Sequence, residues 1–160
     1  MYAVRFHGRG GQGAKTASRI LGTAAFLSGY QAQDSPIYGA ERRGAPVAAF
    51  TRFGREPIRE RGVIAHPDLV MVADASLLKD PAARVSDGIT DQTILFVNSP
   101  LHAEQIRTQS GLPGRITTLG VTEIALQHFG QREAISALLG AVAARLSGLQ
   151  QEPLRQAIAR

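Results

Sequence analysis

Gly8-Arg9-Gly10-Gly11-Gln12-Gly13 is the stretch of this chain whose residue types and spacing most plainly invite chemistry. It reads G-x-G-x-x-G. Glycines let the backbone turn tightly and let a ligand approach the main chain. The run follows a strand-like segment and opens a helical one, where free N–H groups and the helix dipole favour an anion. Arg9 and Lys15 add positive charge beside it, and Thr16 and Ser18 add hydroxyls. Three readings stay open on the residues alone. A dinucleotide site needs an acidic residue about 20 positions on to hold a ribose hydroxyl, and Asp34 stands near that distance. A P-loop, G-x-x-x-x-G-K-[ST], fails by one residue because Ala14 separates Gly13 from Lys15, although Asp74 could serve as its acidic strand end. The third reading is a tight turn that binds nothing.

A second segment, Tyr38-Gly39-Ala40-Glu41-Arg42-Arg43-Gly44-Ala45-Pro46-Val47, sets two adjacent arginines between glycines ahead of a strand. Paired guanidinium forks in such a loop can clamp a phosphate or carboxylate. Alternatively, Arg42 or Arg43 pairs with Glu41 or Asp34 and merely holds the loop. Other chemistries are poorly provided for. There is no cysteine, hence no disulfide, no cysteine-ligated Fe–S cluster and no thiolate zinc site. The histidines, His7, His66, His102 and His128, lack a metal-ligand spacing such as H-x-x-x-H and suit structural or solvent-facing roles. No catalytic residue and no metal site is nominated.

The elements that must position these loops follow from periodicity. Tyr2 to His7 alternates apolar and polar residues as a strand does. Ala17, Ile20, Leu21, Ala24, Ala25 and Leu27 recur at helical spacing within 12–28, and Gly29 ends that helix. Tyr30 to Asp34 reads as a short strand and Pro46 to Phe53 as another. Ile58 to Ile64 reads as an edge strand returning against it. Leu69 to Ala73 and Thr93 to Val97 are continuous apolar runs of the kind found in buried parallel strands. Ile116 to Leu119 is the last strand. Helices are expected at Ala75 to Lys79, His102 to Gln109, Thr122 to Phe129 and Arg132 to Leu146. A final one begins near Pro153, which suits a first-turn position. Strands alternating with helices predict an α/β layered sandwich, with a mostly parallel sheet flanked by helices and an antiparallel hairpin near residues 46–64.

Length and composition bound the rest. A 160-residue chain suits one compact domain spanning 1–160, which buries roughly 70% of its unfolded surface. No apolar run approaches the roughly 18 residues of a membrane span. The opening Met1-Tyr2-Ala3-Val4-Arg5 lacks a signal-like apolar region, so no membrane is expected and the cytoplasm is the expected compartment. The net charge is +5. Residues 1–65 carry ten basic and four acidic side chains, and the remainder eight and nine. The excess positive charge therefore lies with the two loops, which suits an anionic partner. Aromatics make up only 6% and do not interleave with the arginines, so a nucleic-acid partner is not expected.

The two loops together carry a resemblance. His7-Gly8-Arg9-Gly10-Gly11-Gln12-Gly13-Ala14-Lys15-Thr16-Ala17-Ser18 resembles the opening of the gamma subunit of pyruvate:ferredoxin oxidoreductase and its relatives. So do Tyr38 to Val47, the following Ala49-Phe50-Thr51-Arg52, then Glu56-Pro57-Ile58-Arg59 and Pro67-Asp68-Leu69-Val70. Asn98 fits the family's asparagine at that strand end. The resemblance covers roughly residues 4–100 well and the C-terminal third in outline.

The resemblance implies a multi-subunit enzyme that decarboxylates a 2-oxoacid with thiamine diphosphate and passes electrons through Fe–S clusters. Ferredoxin or another external acceptor receives them, and coenzyme A receives the acyl group. Thiamine diphosphate, magnesium and the Fe–S clusters are then expected on partner chains: thiamine-binding and 2-oxoacid-binding subunits and a ferredoxin-like subunit. This chain has no Gly-Asp-Gly of a thiamine diphosphate site and no cysteine, so alone it is expected to be inactive. Coenzyme A, as co-substrate, suits its anion cradle. The expected contacts are Gly8, Arg9, Gly10, Gly11, Gln12, Gly13, Lys15, Thr16 and Ser18, then Arg42 and Arg43, then Asn98. The competing expectation is a nicotinamide-dinucleotide-binding module built on the same glycine loop and Asp34.

Overall fold

The computed structural model describes residues 1–36, 43–130, 139, 140, 142, 146 and 149–159. Strand β1 (Tyr2–Arg9) leads into helix α1 (Ala14–Leu27), followed by β2 (Gln31–Pro36) and β3 (Pro46–Gly54). Then come β4 (Leu69–Val72), 3-10 turns at Ala75–Lys79 and Pro81–Ala83, β5 (Ile94–Asn98) and α2 (Ala103–Ser110). The chain continues through β6 (Arg115–Leu119), α3 (Val121–Phe129) and α4 (Gln151–Ile158). The strands form one sheet in the order β2-β3-β1-β4-β5-β6. β1, β4, β5 and β6 run parallel, and β3 alone is antiparallel to both of its neighbours. The expected mostly parallel α/β sheet is what forms.

One part of the expectation needs correction. The strand of the 46–64 hairpin is present and antiparallel, but residues 58–64 form no strand. β3 is an interior strand, paired along β1 on one side and β2 on the other, so no edge remains for a returning partner. The 58–64 segment instead crosses a face of the sheet. Its carbonyls find side-chain donors in place of a ladder. Arg52 donates to the Gly62 and Val63 carbonyls at 3.0 and 3.1 Å.

The layers follow from which residues each face can bury. In β4, Leu69, Val70, Met71 and Val72 are all buried, because helical or coil layers cover both faces of a parallel sheet. α1 lies on one face through Ala14, Ala17, Ile20, Leu21, Ala24 and Ala25. Its core partners include Val4, Phe6, Met71 and Phe96 from the sheet and Leu154 and Ala157 from α4. Alanines dominate that stripe, so the helix sits close to the strands. Tyr30 N–H closes on the Ala25 carbonyl at 3.1 Å, with Gly29 at φ 85 making the left-handed step that ends the helix. Of the stripe expected within 132–146, Leu139, Val142 and Leu146 are buried in this same core. Residues 132–138, 141 and 143–145 lie outside the described ones. The opposite face packs Val70, Val72, Leu95, Val97 and Ile116 against Ile106 of α2 and against Leu77, Ala83 and Val85.

Alternation along β1 has a cost on that second face. Val4 and Phe6 point at α1, so Arg5 and His7 point the other way, and both are only 3% exposed. Burial is the main cause that pushes the His7 imidazole down to about 3, the Arg5 charge adds to it, and a hydrogen bond to Ala83 opposes it. The ring is therefore neutral in the folded protein at ordinary pH.

Two outcomes follow from this packing. A Cβ at Gly22 would meet Asp34 Cβ at 3.6 Å and Thr51 Cγ2 at 3.8 Å, ordinary contacts in a helix interior. Gly22→Ala should therefore raise stability by about 0.5–1 kcal/mol, read from the urea midpoint. The second outcome concerns acid. The folded pKa of His7 lies below its usual 6.5, so the unfolded chain takes up the proton first as pH falls. The His7 contribution is complete above 6.5 and is lost towards 3, at up to roughly 1.4 kcal/mol per pH unit. Urea midpoints measured down through that window should fall less steeply in His7→Leu than in the parent chain.

Candidate functional site

β1, β4 and β5 end at the same edge of the sheet, and β3 begins there. The glycine loop leaves β1 at this edge and the arginine loop enters β3 beside it. The Gly10 N–H donates to the Ala45 carbonyl at 2.8 Å, and the Gly44 N–H to the Gly10 carbonyl at 3.2 Å. The glycine loop and the Gly44–Ala45 end of the second motif are thus one surface. Gly8 lies near the end of β1 at the foot of the loop, where a Cβ would meet Ala14 Cβ at 3.4 Å and Gln12 Oε1 at 3.6 Å, ordinary contacts that do not by themselves demand glycine.

Asp74, just beyond β4, ties the loops down. Its Oδ2 accepts from Arg9 Nε and from Gln12 Nε2, each at 3.2 Å. Its Oδ1 accepts from the Ser76 N–H at 2.9 Å and the Ser76 hydroxyl at 2.6 Å. Arg9 also donates Nη2 to Ser76 Oγ at 2.7 Å and Nη1 to the Gly44 carbonyl at 3.0 Å. Gln12 Oε1 accepts from the Arg9 N–H at 2.7 Å. Partial burial alone would raise the Asp74 carboxyl. The hydrogen bonds from Ser76 and Gln12 and the Arg9 charge outweigh that and hold it below the usual carboxylate range.

What stays open is the start of α1. Gly13 caps it at φ 78, with no side-chain cap bond, so the first-turn N–H groups have no partner within the helix. Gly11 stands exposed at φ 94 with open space where a Cβ would project. Thr16 and Arg43 are exposed and Lys15 is partly so. Backbone donors at a dipole end, with cationic side chains beside them, can bind a phosphate or carboxylate oxygen.

The expected site residues therefore divide. Gly11, Gly13, Lys15 and Thr16 lie around the open helix start, and Arg43 is exposed next to Gly44, whose N–H bonds the Gly10 carbonyl. Arg9 and Gln12 lie in the loop, but their polar atoms are spent holding it in shape, as is the Gly10 amide. Ser18 is a correction. It is fully buried, because its position on α1 faces β3. Its hydroxyl donates to the Phe50 carbonyl at 2.9 Å, and Thr51 Oγ1 donates to the Ser18 carbonyl at 2.9 Å. Asn98 is also a joint. Its Nδ2 donates to the Ala73 carbonyl at 3.0 Å and Thr122 Oγ1 at 2.9 Å, and its Oδ1 accepts from the Val121 N–H at 3.1 Å. Arg42 lies outside the described residues. Sequence reasoning missed the roles of Ser76 and Thr122. The pattern Asp74-Ala75-Ser76 directly after an apolar strand was the available signal, since Asp two residues before Ser makes a local capping turn.

The dinucleotide expectation loses its acid. β3 lies between β1 and β2, and Asp34 packs beside Gly22. Gly22 is eight residues into α1, or roughly 12 Å along the axis from its start. A ribose held by Asp34 would not reach phosphates at the glycine loop. Among the described residues no cluster of side chains suits a metal ion, and no helix is long and apolar enough to cross a membrane.

Comparison with known proteins shows the family to which the chain belongs. Residues 3–160 match the family described as pyruvate ferredoxin/flavodoxin oxidoreductase. The common subunit gamma of the pyruvate/ketoisovalerate oxidoreductases of Pyrococcus furiosus is 44% identical over 159 residues, covering 99% of this chain and 85% of that one. Pyruvate synthase subunit PorC of Thermotoga maritima is 42% identical over 148 residues, covering 92% and 75%. The crystal structure of the Thermotoga maritima pyruvate oxidoreductase subunit PORC superposes with a TM-score of 0.85 at 36% identity, covering 99% of this chain and 83% of that one. A 2-oxoglutarate:ferredoxin oxidoreductase of Magnetococcus marinus shares the fold, with a TM-score of 0.78 at 14% identity, over 99% of this chain and 26% of that one. The chain belongs to the pyruvate ferredoxin/flavodoxin oxidoreductase family, as one of its gamma-type subunits.

Proposed function

We propose that this gamma-type subunit supplies the coenzyme A site of a thiamine diphosphate-dependent 2-oxoacid:acceptor oxidoreductase, and that partner chains carry the redox chemistry. The observation that supports the reading best is the uncapped start of α1, with Gly11 and Gly13 opening its amides beside Arg43. The family supplies the ligand, and this chain supplies an anion site of fitting chemistry. Coenzyme A carries a pyrophosphate and a 3′-phosphate. The N–H groups at Gly11 and at the first turn of α1 would hold phosphate oxygens, with Lys15, Thr16 and Arg43 closing on them, and Arg42 beside Arg43 in sequence. Arg9 and Gln12 shape the cradle through Asp74, Gly10 shapes it through its backbone bonds to Gly44 and Ala45, and Gly8 lies in the strand that leads into it. Ser18 and Asn98 stand behind it as structural joints.

Thiamine diphosphate with magnesium, held by thiamine-binding and 2-oxoacid-binding subunits, would supply the carbanion chemistry of decarboxylation. Electrons would leave through Fe–S clusters of a ferredoxin-like subunit to ferredoxin or another acceptor. This chain would bind and orient the acyl acceptor, and by itself would oxidise no 2-oxoacid. The cytoplasm is the compartment that suits such an assembly.

Calorimetric titration of the complex, co-purified with its partner chains, tests the reading. Coenzyme A should bind, and pantetheine, which lacks the phosphates, should bind at least roughly tenfold more weakly. Arg43→Ala should weaken coenzyme A selectively. Asp74→Ala should lower stability by about 1–3 kcal/mol and weaken coenzyme A, whereas Ser18→Ala should cost stability alone. Equal binding of coenzyme A and pantetheine would remove the phosphate cradle. NADH binding in place of coenzyme A would restore the dinucleotide alternative. Oxidation of a 2-oxoacid by the isolated chain would overturn the division of labour.

A further inference from the structure

The sheet face turned away from α1 carries a cavity of about 630 Å³ that the proposed coenzyme A site does not use. β1 and β3 form its floor and the Val63–His66 segment one wall, and it meets the glycine-loop surface only near Ala45. Most of its lining is apolar, including Ala48, Phe50, Val63 and Ile64, and its volume lies in the range of small-molecule sites.

The polar groups in it do not balance. Arg5, 3% exposed, donates Nη2 to the Val85 carbonyl at 2.6 Å and Nη1 to the Ile64 carbonyl at 3.4 Å. Its Nε has no partner. Carbonyls satisfy N–H groups but supply no counter-charge, and among the described residues no carboxylate lies within ion-pair distance of Arg5. Asp87, the acidic residue of the cavity, acts on Arg5 only at a distance, opposed by Arg84, with which it is ion-paired at 2.7 Å. A guanidinium keeps its proton even when buried, and a buried charge without a close partner is destabilising. His7 beside it leaves Nε2 unpartnered. With Arg5 and Arg84 set against Asp87, the cavity carries an excess of one positive charge. Water would supply hydrogen bonds there but no charge.

We propose that this cavity is a second binding site, for a small monocarboxylate with an apolar body, whose carboxylate supplies the counter-charge that Arg5 lacks. The apolar body rests on Ala48 and Phe50 under the Val63–Ile64 wall. Acetate, with too little body, is a poor ligand. A neutral amide of the same shape leaves the charge unmet.

Titration of the full chain, by calorimetry and by ligand-observed NMR, with isovalerate, isovaleramide and acetate tests this. Isovalerate should bind in the millimolar range or tighter, and the other two at least roughly tenfold more weakly. Arg5→Met should abolish the preference for acid over amide. Ala48→Leu, which fills the floor and leaves Arg5 in place, should weaken isovalerate at least tenfold while coenzyme A affinity stays unchanged. It also keeps the test decisive if Arg5→Met does not fold. Absence of isovalerate binding in the millimolar range, equal binding of acid and amide, or binding indifferent to Ala48→Leu would each overturn the proposal. None of these results bears on the coenzyme A site.

Discussion

The Asp74 carboxylate is the constraint on which the proposed site depends. It stands one residue past the end of the β4 apolar run and gathers Arg9, Gln12 and Ser76 around its two oxygens. Through Arg9 it reaches the Gly44 carbonyl, so one partly buried charge sets the shape of both the glycine loop and the base of the arginine loop. Hydrogen bonds to an ionised group are stronger than neutral ones, and these converge where flexible glycines would otherwise leave the loop slack. The arrangement also sets which groups face outward. Arg9 and Gln12 are consumed, and the start of α1 is left as the donor surface.

The two faces of the sheet solve different problems. Towards α1 the chemistry is dry: alanines, leucines and phenylalanines, with Ser18 and Thr51 satisfying one another and the β3 backbone. Close approach of α1 aims its start at the end of β1, where the glycine loop must turn. The other face is less finished. There Arg5, His7 and Arg52 sit beneath irregular segments whose carbonyls they partly satisfy, and a cavity remains between floor and cover. A subunit that works in a larger assembly can leave such a face unfinished because ligands or partners complete it.

Within the oxidoreductase family, the anion site proposed for this chain asks only for backbone amides and cationic side chains. The chain lacks cysteine, and its described residues cluster nowhere as a metal site.

The sequence by itself determined most of the elements and the glycine loop on which the proposed site rests. Continuous apolar runs marked β4 and β5, helical spacing from Ala17 to Leu27 marked α1, and glycines marked the turn between β1 and α1. These signals are local, set by dihedral freedom and by the period at which side chains meet the core. Pairing across distance was not legible. The segment from Ile58 to Ile64 looked like a returning strand because nothing in it reveals that β3 is already flanked on both sides. Ser18 looked like a ligand hydroxyl because its one-turn spacing from the glycine loop does not say that α1 turns that face to β3. Asp34 stood at a dinucleotide distance along the chain, yet β3 inserts between its strand and β1. Arg9 and Asp74 are 65 residues apart. Only the sheet order, which places β4 beside β1, decided that they meet.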